Sequence, residues 1–126
     1  MHHLHIIATD TMVLAEEYGD WEDSRRRIDL LGLTKEAQLV VIELKRTEDG
    51  GHMELQALRY AAMVSTMTFR QAVEAHQSYL AKNGQPAESA EERIREFLED
   101  AADEPTLDDQ VKIVLASADF SKEITS

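Results

Sequence analysis

The strongest constraint on the fold is a pair of short apolar runs, Ile28-Asp29-Leu30-Leu31-Gly32-Leu33 and Leu39-Val40-Val41-Ile42-Glu43-Leu44, separated by the polar Thr34-Lys35-Glu36-Ala37-Gln38. Runs of this length, partly β-branched and joined by five polar residues, predict a β-hairpin. Their near-continuous apolarity predicts strands covered on both faces, hence a central place in a sheet flanked by helices. A charge inside such a strand is expensive unless it is paired or used. Asp29 and Glu43 are such charges, and Lys45 follows at the end of the second strand.

The rest of the chain reads as further elements around this hairpin. Thr11 to Ala15 is a short apolar strand, followed by a loop over 16–24 rich in turn formers. Met53 to Met67, rich in Met, Leu, Ala, Gln and Arg, predicts a largely buried helix with Met63 and Met67 in the core. Thr68 with Gln71 makes a capping-box start to a second helix, which Asn83-Gly84 stops. Its apolar face carries Phe69, Val73, His76 and Leu80, with a ring nitrogen of His76 satisfied. A third, amphipathic helix runs from Pro86 to about Ala102, with Ser89 and Glu92 in capping-box spacing, and Val111 to Ala116 predicts a last strand. The expected class is α/β: a mixed four- to five-stranded sheet flanked by helices.

At 126 residues the chain supports one domain over 1–126. Its abrupt end after 111–116 suggests a fragment of a longer protein. No apolar run approaches the roughly 20 residues of a membrane span, so no membrane partner is expected. The absence of cysteine excludes disulfides, thiolate metal sites and a cysteine nucleophile, and fits a cytoplasmic setting. Net charge is −12, but residues 1–82 carry 13 acidic and nine basic side chains against 12 and four over 83–126. The acidity therefore belongs mainly to the last third, while Arg25-Arg26-Arg27, Lys45-Arg46, Arg59 and Arg70 leave the first two thirds able to build a local positive patch.

With residues 34–38 as the hairpin loop, antiparallel partners have numbers summing to 72, which sets Asp29 opposite Glu43, with Lys45 two residues along on the same face. Two directly opposed carboxylates repel, and a shared hard cation such as Mg²⁺ or Mn²⁺ relieves them. Such an ion would lower the pKa of a bound water, and Lys45 could orient that water or stabilise charge developing on a phosphate. Gln56 and Tyr60, four apart, share a helix face and would supply positioning. Arg27 has the strand parity of Asp29 and is a candidate phosphate contact; Glu17 is the candidate for an additional acidic site residue.

An Asp in one strand, thirteen intervening residues, and Glu43-Leu44-Lys45 at the end of the next resembles the PD-(D/E)XK nuclease superfamily. Gln56-Ala57-Leu58-Arg59-Tyr60 resembles the Gln-X-X-X-Tyr helix motif of its RecB-like members, and the match over residues 12–67 is similar to bacterial restriction-endonuclease-like proteins. Ile28 stands where the motif's name puts Pro. The resemblance implies a restriction-endonuclease-like core and metal-dependent hydrolysis of phosphodiester bonds in DNA. Asp29 and Glu43 would then be metal ligands, Lys45, Gln56 and Tyr60 would act with them, and DNA would be the partner, with a homodimer left open. The alternative from a different class is a catalytically silent nuclease-fold module that binds nucleic acid or a protein. A third, purely structural reading has Lys45 bridging the two acids.

Overall fold

The computed structural model describes residues 6–8, 10–19, 27–45, 52–99 and 105–117. Trp21, Arg25, Arg26, Arg46 and Ala101 lie outside the described residues, as do the side chains of Lys45 and His52. A mixed sheet is built in the order β1-β2-β3-β4-β5, from β1 (Ile6–Ala8), β2 (Thr11–Tyr18), β3 (Ile28–Thr34), β4 (Gln38–Lys45) and β5 (Asp108–Ser117). Four of these strands are long and β1 is a three-residue edge. The first four pair antiparallel in sequence order, and β5 returns to pair parallel with β4. A parallel return needs a long crossover, and helices α1 (His52–Val64), α2 (Phe69–Lys82) and α3 (Ala90–Leu98) supply it. The α/β class and the mixed, helix-flanked sheet are therefore as expected.

The hairpin has the register that its loop length dictates: Leu30 faces Ile42, Leu31 faces Val41, Gly32 faces Val40 and Leu33 faces Leu39. In the turn, Ala37 takes a left-handed φ of 65° and donates its N–H to the Thr34 carbonyl, while the Thr34 hydroxyl accepts from Glu36 and Gln38 N–H. Leu31, Leu33, Leu39 and Val41 are fully buried in one cluster with Leu14, Tyr60, Phe69, Val73, Leu80 and Ile94. Truncating any one of these leucines to Ala would cost about 2–5 kcal/mol, the transfer loss plus the cavity left behind.

Helix α2 packs on β2, α1 on β4 and β5, and α3 on α2. The capping box that starts α2 is present in full: the Thr68 hydroxyl accepts Gln71 N–H, and the Gln71 side chain accepts Thr68 N–H. The helix ends in a Schellman arrangement, with Gly84 at φ 72°, its N–H on the Ala81 carbonyl and the Gln85 N–H on the Leu80 carbonyl. His76 is buried and pins α2 to the sheet, its Nδ1 lying 2.9 Å from the Leu14 carbonyl oxygen.

Several elements depart from expectation. Strand β2 continues through Glu16 and Glu17 to Tyr18, because pairing with β3 outweighs the turn propensity of that stretch. Helix α1 is one-sided rather than largely buried: Ala57, Tyr60 and Val64 face the core, while Leu55, Leu58 and Met63 are about half exposed. Met63 therefore lies outside the core, and Met67 packs against it past the end of the helix. The Ser89 and Glu92 capping box is not formed; the Ser89 hydroxyl donates to the Pro86 carbonyl within a 3-10 turn over Ala87–Ser89, and α3 ends at Leu98 with Glu99 left-handed. Strand β5 is longer than expected: it starts at Asp108, which pairs with Gln38 of β4, and Asp109 and Gln110 fall in an irregular stretch before Lys112 pairs with Val40.

Candidate functional site

The site lies where β3 begins and β4 ends. One step beyond the Leu30 and Ile42 pair, the register sets Asp29 opposite Glu43. At this end the two side chains clamp the neighbouring strands reciprocally. Glu43 Oε2 accepts the backbone N–H of Asp29 at 3.2 Å, and Asp29 Oδ2 accepts the backbone N–H of Leu44 at 2.8 Å. Glu43 is 4% exposed, in β4 between its two neighbouring strands, whereas Asp29 is half-buried. Each carboxylate thus takes a backbone donor from the facing strand.

Each carboxylate has a second oxygen, and Asp29 Oδ1 makes no hydrogen bond among the described residues. Hard oxygen donors on adjacent strands suit Mg²⁺ or Mn²⁺, which accept one or two carboxylates and complete their shell with water. Among the described residues, no group of three or more His, Asp or Glu side chains that could hold a metal ion is found. The residues present fit a divalent ion held by two carboxylates, with the other positions left for water and substrate oxygens.

Lys45 is the last residue of β4, in register with Ser117 of β5, two residues beyond Glu43. Helix α1 lies against β4 and β5 and carries Gln56 and Tyr60. Tyr60 is 1% exposed within the sheet-facing cluster, and its hydroxyl oxygen accepts from the Gln56 side-chain amide at 3.0 Å. The four-residue spacing therefore joins these two side chains directly, with Tyr60 anchored in the core and Gln56 half-buried above it.

Glu17 and Arg27 sit on the other side of Asp29. The pairs Glu16 with Leu30 and Tyr18 with Ile28 bracket Glu17 and Asp29, which therefore face each other across β2 and β3. Glu17 has a left-handed φ of 48° and is exposed, and Arg27 lies just before β3 rather than within it. Both line a cavity of about 520 Å³ between the end of β2 and α2, together with Glu16, Glu74, Tyr79 and Lys82. Burial, and then the Glu16 carboxylate, push the Tyr79 hydroxyl above its ordinary pKa of 10.0, against the pull of Arg93. Asp29 and Glu43 do not line this cavity.

The cavity was not legible as a site in the sequence. Gln71, Glu74, Ser78 and Lys82 recur at three- and four-residue spacing along α2, which marks a polar helix face but not what that face meets. Comparison with known proteins finds no match: no family model, curated protein or solved structure is significantly similar to the chain. Among the described residues no helix is long and apolar enough to cross a membrane.

Proposed function

We propose that the chain is a metal-dependent nuclease domain that hydrolyses phosphodiester bonds in DNA, with Asp29 and Glu43 as the carboxylates that hold Mg²⁺ or Mn²⁺. The observation that supports this most directly is the reciprocal clamp at the ends of β3 and β4, where two acidic side chains face each other in a largely buried setting. When bound, the cation supplies a Lewis acid and an acidified water. The chain's own residues do the rest. Asp29 and Glu43, each accepting a backbone N–H of the facing strand, give a positioned pair of oxygen donors. Lys45 is assigned to charge developing on the phosphate, because an ammonium two residues from a carboxylate pair is the cation best placed in sequence for it. Gln56, held by the buried Tyr60 hydroxyl, is assigned to positioning the substrate.

A cleavage assay tests this on labelled single-stranded, duplex and flap DNA with Mg²⁺ or Mn²⁺, comparing wild type with Asp29→Ala and Lys45→Ala. The expected result is cleavage that requires the metal and is lost in both variants. No cleavage by wild type, or cleavage that persists in both variants, overturns the reading, and wild-type DNA binding without cleavage would point to a silent module.

A further inference from the structure

The cavity beside Asp29 has a volume of about 520 Å³, inside the roughly 300–1,000 Å³ range of small-molecule sites. Its lining carries both signs of charge: Arg27 and Lys82 against Glu16, Glu17 and Glu74. A simple anion would meet three carboxylates there, and a simple amine would meet two cations. A ligand with an anionic phosphate at one end and amino or ring N–H donors at the other meets both sets. Tyr18 adds a half-exposed aromatic ring, and Tyr79 adds a hydroxyl held in its protonated, donating form. Glu17 is the cross-strand neighbour of Asp29 and Arg27 precedes it by two residues, so the cavity adjoins the carboxylate pair.

We infer that this cavity binds a single nucleotide of the nucleic-acid strand, next to the bond to be cleaved, with Arg27 and Lys82 on its phosphate and the glutamates on the amino group of its base; this rests on the hydrolytic reading above. A carboxylate accepts from the exocyclic amine of cytosine. Thymine lacks that amine, so the pocket prefers cytosine to thymine. Stacking on Tyr18 contributes without regard to sequence.

The test is isothermal titration of the intact chain, in EDTA, with 2′-deoxycytidine 5′-monophosphate. Thymidine 5′-monophosphate, deoxycytidine and inorganic phosphate form the comparison arms. The expected result is saturable binding of the cytidine nucleotide, weakened about tenfold or more in each comparison arm and in Lys82→Ala, as expected when one phosphate or base contact is lost. Ser78 is exposed on the cavity wall, and Ser78→Trp should abolish binding without changing the melting temperature. If that variant misfolds, Lys82→Ala still decides. Inorganic phosphate binding as tightly as the nucleotide, or no saturable nucleotide binding at millimolar concentration, overturns the assignment. Asp29→Asn separates the two claims, because it should leave nucleotide binding intact while removing cleavage. Cleavage without nucleotide binding overturns the cavity site alone; nucleotide binding without metal-dependent cleavage supports the cavity and overturns the hydrolytic reading.

Discussion

Replacing Asp29 by Asn should stabilise the protein without metal and destroy its response to metal. Directly opposed residues in an antiparallel pair have Cβ atoms about 5 Å apart, and two unit charges at that distance repel by about 3 kcal/mol at an effective dielectric of about 20. The amide of the variant keeps a carbonyl oxygen for the Leu44 N–H that Asp29 Oδ2 now accepts at 2.8 Å, but turns a charge-assisted bond into a neutral one, a loss of about 1 kcal/mol. The net gain in EDTA is about 2 kcal/mol. For 126 residues, at about 2.1 cal/mol/K of unfolding entropy each, this raises Tm by about 8 °C. Mn²⁺ at a hundred times its dissociation constant adds about 2.7 kcal/mol to wild type, or about 10 °C, and almost nothing to the variant, so the order of stabilities inverts. Scanning calorimetry of both proteins in EDTA and in Mn²⁺ reads all four values. A variant less stable than wild type in EDTA, together with a wild type indifferent to Mn²⁺, would refute the argument. That result would leave the purely structural reading, with Lys45 bridging the two acids.

Other expectations rest on single residues. Ala37 sits in the hairpin turn at φ 65°, so Ala37→Gly should relieve about 1–2 kcal/mol of left-handed strain, less the extra chain entropy of Gly, and raise the stability measured in urea melts by about 0.5–1 kcal/mol. Tyr79 is held above 10.0 by burial and Glu16, so its stabilising contribution is complete below that pH and is lost as pH rises through its folded value. Tyr79→Phe should therefore narrow its stability deficit against wild type, or reverse it, between about pH 9 and pH 11 in urea melts. Glu91 shows the opposite sign: hydrogen bonds from Arg70, then Arg95, hold its carboxyl below 4.5, so its contribution is present above that pH and is lost on acidification. Glu91→Gln should lower Tm at neutral pH and make no difference in strong acid.

Much of the fold and part of the site are legible in the sequence alone. The hairpin register follows from loop length and a period of two, so Asp29 and Glu43 can be placed opposite each other by arithmetic. Gln56 and Tyr60 can be paired because four residues return a helix to the same face. The capping box and the Asn83-Gly84 stop are legible because both are local hydrogen-bond chemistry. Other features are hidden because they depend on distant partners. Helix α1 reads as buried, but Leu55 and Leu58 are exposed because the sheet covers only its Ala57, Tyr60 and Val64 side. Glu16 and Glu17 read as a turn until β3 pairs with them, and only that pairing sets Glu17 across from Asp29.

The sequence by itself determined which residues alternate, which spacing closes a turn and which caps end a helix, because these interactions span at most a few residues. Only the tertiary structure decided that the Glu43 carboxylate accepts the Asp29 N–H while the Asp29 carboxylate accepts the Leu44 N–H, that β5 returns parallel to β4, and that α2 borders a cavity against the end of β2. Those outcomes depend on contacts between residues far apart in the chain, and no local pattern specifies where such residues meet.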